Sequence, residues 1–147
     1  MSALDGVENA ELSPYGFVVV GHWELYPAVK SGIHFKLRLH QHDRVVYAFV
    51  IDGCPSYIGI CDNAATTLTN RMNRYKFRCG GSTNRSNASR IQKCLLAGKT
   101  VQIFALKPPS DSPFRDLLVD FVKGLENPLI AKFKPAWNGK TLKAEAD

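Results

Sequence analysis

Six side chains in this chain of 147 residues have types and spacings that could do chemistry together. Tyr47 and Tyr57 flank the turn dipeptide Asp52-Gly53. If the two strands around that turn are centred near Asp52, the phenols lie opposite one another on one sheet face, with Cβ atoms roughly 5 Å apart. Such a pair is either plain packing or the centre of a reaction site, and the pair alone leaves both open. Arg71 and Tyr75 are i, i+4 neighbours and share a helix face. Glu126 has Val122 and Ile130 four residues to either side, so its carboxylate stands at the margin of an apolar stripe. An unpaired charge there is costly. The carboxylate needs a cation, an arginine or a metal, or it leans out to solvent. Asn138 follows twelve residues later.

The elements that must position these groups follow from pattern and punctuation. Val45–Ile51 is rich in β-branched and aromatic residues, and Tyr57-Ile58-Gly59-Ile60 opens a second strand, giving a β-hairpin whose turn is lengthened by Pro55 and Ser56. Asn63 is placed to cap a helix running to about Tyr75, with Leu68, Met72 and Tyr75 as its apolar edge. Asn84 or Ser86 caps a second helix that Gly98 stops. Lys99–Leu106 reads as a third strand of the core, ended by Pro108-Pro109. Ser112-Pro113 starts the most strongly amphipathic helix, through Leu117, Leu118, Phe121, Val122, Leu125, Leu129, Ile130 and Phe133, which Pro128 kinks or restarts. Before the hairpin, Tyr15–Val20 and His34–Leu39 read as strands. The intervening Trp23–Val29 has no assignable pattern.

Length and composition allow one domain with a real core. The expectation is an α/β fold of the α+β type: a small, mostly antiparallel three-stranded core sheet flanked by helices, with extra N-terminal strands. Residues 1–13 read as a flexible leader, 14–139 as the single domain (core 45–138) and 140–147 as a polar tail. No apolar run approaches the roughly 18 residues that span a bilayer, so no membrane partner is expected. The first residues carry acids and no base, which argues against a secretory or transit signal and for the cytoplasm. Four widely spaced cysteines with no Cys-x-x-Cys pair read as reduced thiols and not as a zinc framework.

Charge is distributed unevenly. The formal net charge is +6, and no Asp or Glu occurs between Asp62 and Asp111. That interval holds Arg71, Arg74, Lys76, Arg78, Arg85, Arg90, Lys93, Lys99 and Lys107. A segment so one-sided makes a positive surface that attracts polyanions, or a solvated basic face without a partner. Interleaved amides and hydroxyls (Asn70, Asn73, Ser82, Thr83, Asn84, Ser86, Asn87, Ser89) favour phosphate contact. Arg74, Lys76, Arg78, Arg85, Arg90 and Lys93 are the candidate nucleic-acid contacts.

Taken together, these pieces resemble the GIY-YIG nuclease family over roughly Val45 to Asn138. Val45-Val46-Tyr47 stands where the family has Gly-Ile-Tyr, and Tyr57-Ile58-Gly59 matches the second half of the name. Leu68–Tyr75 looks like the family's helix with an Arg followed four residues later by Tyr or His. That spacing favours Arg71 over Arg74. Leu125–Asn138 looks like its carboxylate helix and terminal Asn. The chain departs from the pattern in the two Val residues of the first motif, in a longer interval from Tyr57 to Arg71, and in the absence of a Lys soon after the second motif.

The resemblance implies a divalent-metal-dependent endonuclease that hydrolyses DNA phosphodiester bonds. Tyr57 would be the general base, with Tyr47 positioning the water. A free phenol, with a pKa of about 10, is a poor base at neutral pH, so positive charge from Arg71 and a cation is expected to lower it. Arg71 would clamp phosphate oxygens, and Tyr75 would bond the phosphate or support the water. Glu126 would hold one Mg²⁺ or Mn²⁺, and Asn138 would orient part of the site. Double-stranded DNA is the expected partner, and a homodimer would suit double-strand cleavage. The rival readings are a catalytically inactive nucleic-acid-binding module of the same fold and an RNA nuclease. A structural or partner-binding role would need an exposed apolar patch, which the sequence does not show.

Overall fold

Val46–Ile51 forms a strand in which all six residues are buried, because both sheet faces are covered. The computed structural model describes residues 8–63, 65–109 and 112–138; the expected tail at 140–147 lies outside them. In chain order the elements are β1 (Val18–Leu25), β2 (Ile33–Leu37), β3 (Val46–Ile51), β4 (Cys54–Ile60), α1 (Leu68–Lys76), α2 (Ser82–Leu96), β5 (Val101–Leu106), β6 (Ser112–Phe114), β7 (Leu117–Val119) and α3 (Phe121–Phe133). A short 3₁₀ turn, Ser13–Tyr15, precedes β1.

The sheet has five strands, not a three-stranded core with separate additions. Its order is β2-β1-β5-β3-β4 and every pairing is antiparallel. The unassigned Trp23-Glu24-Leu25 is the second half of β1. An irregularity between Val19 and Gly21 shifts the register against β5, which breaks the alternation that would have marked the strand. Alternating residues of β3 serve two cores. Val45, Tyr47, Phe49 and Ile51 face the side covered by α1 and α2, while Val46, Ala48 and Val50 face Leu12, Phe17, Val122 and Leu129. Within the stretch read as a leader, Asn9 and Leu12 are therefore buried, and Asn9 Nδ2 donates to the Gly53 carbonyl at 2.8 Å.

The β3–β4 turn is a two-residue one. Asp52 and Gly53 both have positive φ (47° and 82°), as a type I′ turn requires, and Ile51 pairs directly with Cys54. The extra length expected in the turn lies inside β4 instead. Val50 pairs with Pro55 and Phe49 with Tyr57, so Ser56 is a bulge. Pro55 is tolerated because β4 is an edge strand.

Two helix starts differ from expectation. Asn63 Oδ1 accepts from Ala65 N at 3.0 Å and Thr66 Oγ1 at 2.9 Å, which closes a turn; Thr67 is the residue that caps α1. Ser112-Pro113 begins a hairpin, β6–β7, and not the last helix. Phe114, Leu117 and Leu118 are consequently exposed, an apolar patch that the amphipathic pattern would turn inward. Asp120 caps α3, its carboxylate accepting from Val122 N and Lys123 N, and the helix runs through Pro128 to Phe133 without restarting.

The Asp120 carboxylate also takes both terminal nitrogens of Arg44, each at 2.9 Å, while Arg44 Nε donates to the Cys61 carbonyl at 2.9 Å. One side chain thus ties the entrance of β3, the exit of β4 and the start of α3 together. Asp120→Ala removes both cap and fork, and is expected to lower unfolding free energy by about 1–2 kcal/mol in urea titrations. The Arg44 hydrogen bonds hold the Asp120 carboxyl below its usual range. Its contribution is therefore fully present above the ordinary carboxylate pKa and is lost as pH falls through the lowered value. The stability difference between wild type and variant should shrink on acidification and not on alkalinisation.

Candidate active site

Tyr47 forms the floor of the site. Its ring rises from β3 towards α1 and is fully buried. Its cross-strand partner is Gly59, not Tyr57: the two-residue turn alone would set Tyr57 opposite Ala48, and the Ser56 bulge moves it on to pair with Phe49. The missing side chain at Gly59 makes the room that the Tyr47 ring occupies. A Cβ added there would lie 2.6 Å from Tyr47 Oη and 2.9 Å from Tyr57 Cε2. The two phenols still share a face, with ring centroids 6.3 Å apart. Tyr57 is half-buried and stacks on Phe49 at 5.8 Å.

From α1, Arg71 and Tyr75 descend onto Tyr47 together, as their helical spacing requires. Tyr47 Oη and Tyr75 Oη are 2.5 Å apart. Arg71 Nη2 donates to both, at 2.9 and 3.3 Å. Arg74, the alternative, points elsewhere: its guanidinium lies 3.9 Å from Asp62. Arg71 Nε is buried and has no hydrogen-bond partner among the described residues. Among the described residues its hydrogen bonds go only to neutral hydroxyls, so no ion pair neutralises its charge.

That charge acts on the phenols in the expected direction, but burial outweighs it. Burial raises the pKa of Tyr47 and of Tyr57 well above the ordinary phenol value; for Tyr57 its phenol neighbour Tyr75 adds to the rise, and Arg71 offsets only part of it. Arg71 alone does not make either phenol a base at neutral pH.

Glu126 approaches from the other layer. α3 packs on the second core through Val122 and Leu129, so Glu126 reaches the site from the β4 side. It is half-buried, and burial raises its pKa; Arg71 pulls the other way and Asp62 adds to the rise. No group of three or more His, Cys, Asp or Glu converges as a metal cage among the described residues. A lone, partly desolvated carboxylate nonetheless fits one hard divalent cation that keeps most of its waters.

Asn138 has a different place from the reacting groups. Its amide grips the backbone of Ile58, accepting from Ile58 N at 2.8 Å and donating to Ile58 O at 2.9 Å. It closes the free edge of β4 beside Tyr57 and brings Trp137 to 6.4 Å from Phe49.

The basic residues divide. Arg78 bonds Ser89 Oγ at 2.7 Å and Gln92 Oε1 at 3.2 Å, an internal tie between the turn after α1 and α2. Arg90 donates to Asn87 Oδ1 at 2.9 Å and lies over Trp137. Lys76 sits over the Tyr26 and Phe77 rings. Arg85 and Lys93 are exposed on α2. Asn84 and Asn87, read as phosphate contacts, are buried, and Asn84 Nδ2 donates to the Cys79 carbonyl. The Arg44–Asp120 fork escapes a reading of the sequence although Asp120 followed by Phe121-Val122 is a cap signature; the stronger-looking Ser112-Pro113 start hides it.

The fold is that seen in GIY-YIG nucleases. It is similar to the structure of a mutant of bacteriophage T4 EndoII, a member of that class, with a TM-score of 0.68 at 20% identity, covering 86% of this chain and 95% of that one. Restriction endonuclease HPY188I in complex with product DNA aligns with a TM-score of 0.49 at 22% identity, over 87% of this chain and 79% of that one. No protein-family model and no curated protein matches the sequence. The family resemblance drawn from the motifs is borne out at the level of the fold.

Because Tyr47 is packed on all sides, it cannot yield to a methyl group at residue 59. Gly59→Ala is expected to destabilise the protein by about 1–3 kcal/mol, as overpacking does. Near-ultraviolet circular dichroism, which reports the tyrosine environment, should change with it.

Proposed function

We propose that this protein is an endonuclease that hydrolyses DNA phosphodiester bonds. The observation that carries the reading is Arg71: a half-buried guanidinium that, among the described residues, hydrogen-bonds only to phenols and leaves its Nε unpartnered, in the same site as Tyr57 and the partly desolvated carboxylate of Glu126. An anion that enters this site meets a charge that no ion pair among the described residues neutralises. The likeness of fold to EndoII supports the same reading.

Arg71 offers its amino groups to the non-bridging oxygens of the scissile phosphate. Tyr47 and Tyr75 hold that guanidinium in place through their hydroxyls. Tyr57 takes the proton of the attacking water at its Oη. Glu126 holds a single Mg²⁺ or Mn²⁺. When bound, the cation supplies Lewis-acid stabilisation of phosphate charge and the added positive field that a phenolate at Tyr57 needs. Asn138 acts through Ile58, fixing the edge on which Tyr57 stands. The domain assigned to 14–139 carries the whole site, and a homodimer would present two such sites to a duplex.

Supercoiled plasmid, linear duplex and RNA incubated with Mg²⁺ or with chelator test this. The wild type should nick or linearise DNA with Mg²⁺ and not with chelator. Glu126→Gln and Arg71→Ala should each reduce the rate by about 10²–10³-fold, and Tyr57→Phe by about 10²–10⁴-fold. Since the Glu126 carboxyl is raised, cleavage should fade on acidification from a pH above the ordinary carboxylate range. A wild type that binds but cuts no nucleic acid at any metal concentration makes the protein a binding module; cleavage of RNA alone moves the substrate; normal activity in Glu126→Gln removes it as metal ligand.

A further inference from the structure

A second site lies beyond the end of α1. Lys30, Ser31, Lys76, Phe77, Arg78 and Arg85 line a cavity of about 570 Å³, within the size range of small-ligand sites. Four of the six are cations, none of the six is an acid, and none of the four cations forms an ion pair among the described residues. Four like charges around one hollow repel each other unless an anion joins them. Arg85 deepens the oddity. It stands in the opening turn of α2, which holds no acid and has no side-chain cap, so a cation there opposes the helix dipole.

The aromatic residue gives the anion its chemistry. Phe77 follows the last turn of α1 and is 61% exposed, although it is a large apolar ring. Lys76 Nζ lies 5.3 Å from its centroid and 5.8 Å from that of Tyr26. An exposed ring in a hollow lined by cations matches a group with a flat π-face and a phosphate, which is a nucleotide whose base is unpaired. Position agrees. Phe77 is six residues beyond Arg71, about 9 Å along the helix axis, or two to three nucleotide rises of a stacked strand at about 3.4 Å each.

We propose that this cavity holds an unpaired nucleotide of the DNA strand, its base stacked on Phe77 and its phosphate among Lys30, Lys76 and Arg85, two or three positions from the phosphate at Arg71. Arg78 is tied to Ser89 and Gln92 and contributes fixed charge, not a mobile contact. The inference rests on the nuclease reading for the location of the cut, but the binding itself does not require cleavage. It makes the preferred substrate one with an unpaired or extrudable base near the cut, and not a uniformly paired duplex.

Fluorescence anisotropy with the full chain in chelator, so that nothing is cut, decides it. The probes are a labelled short DNA duplex and the same duplex carrying one unpaired nucleotide. Phe77→Ala and Phe77→Leu should weaken binding of the second probe roughly tenfold and of the first by less than about twofold, and Phe77→Trp should restore it. Lys30→Gln and Arg85→Gln should each lower the salt slope by about one. All these side chains except Ser31 and Arg78 are outside the packed core, and thermal melts of the variants confirm their fold. Equal loss on both probes, or no loss with Phe77→Ala, overturns the base-stacking pocket; unchanged salt slopes overturn its phosphate. If the plasmid is cut while the Phe77 series is flat, the pocket fails and the nuclease reading stands. If the Phe77 series behaves as expected while no DNA is cut, the pocket stands and the nuclease reading fails.

Discussion

Tyr47 buries a hydroxyl at the centre of the domain, and a hydroxyl without a partner there is expensive. The structure meets that constraint with α1. Tyr75 and Arg71 come to Tyr47 Oη from one helix face, and the helix is held on the sheet partly by these bonds. Phe49 and Trp23 pack edge-on against Tyr75, at 5.2 and 6.4 Å between centroids, and enclose the network. Everything else near the site accommodates it. Gly59 has no side chain because the Tyr47 ring crosses it, and α1 starts at Leu68 so that its second turn falls over β3.

The edge of the sheet shows how protection and placement coincide. β4 is an edge strand, and an unpaired edge invites other strands. Asn138 fills the free N–H and carbonyl of Ile58, so the edge is closed by one amide side chain. The same bonds draw the chain after α3 around from one face of the sheet to the other, which lets Trp137 pack on Phe49. α3 itself is fixed at its start by the Arg44–Asp120 fork. Two clamps at either end of α3 therefore hold Glu126, whose own carboxylate makes no bond among the described residues. A group with no partner of its own needs its backbone held from elsewhere.

How much of this is legible in the sequence depends on the scale of the signal. Arg71 and Tyr75 follow from helical period alone, and β3 and β5 from β-branched runs. The register of Tyr47 against Tyr57 does not follow, since one bulged residue, Ser56, shifts a pairing that composition cannot fix. β1 is half invisible because an irregularity near Val20 interrupts its alternation. The period draws the last helix too long because Leu117 and Leu118 fit it; only the tertiary structure turns them outward on a hairpin. The amides of α2 mislead for a related reason. Asn84 and Asn87 look like surface chemistry by type but stand on the inner face of their helix, where Asn84 holds the Cys79 carbonyl.

The phenol pKa values then sharpen what the site must do to act as proposed. Without ligands, burial favours neutral phenols and a protonated Glu126 at higher pH than usual, and Arg71 has no ion pair among the described residues, with Glu126 acting on it only through space. Each of these preferences is relieved by a different incoming group: the guanidinium by a phosphate, the carboxylate by a cation, and the phenol by the summed field of cation and arginine. A phosphate alone would raise Tyr57 further, by adding negative charge near an acidic proton, and a cation alone would sit close to Arg71 and be repelled by it. The two ligands together leave neither charge exposed in a low-dielectric site. On the proposed function their binding is coupled, each raising the affinity for the other by the same factor. In this reading Tyr57 becomes a base only in the fully assembled complex, which keeps the free protein chemically quiet.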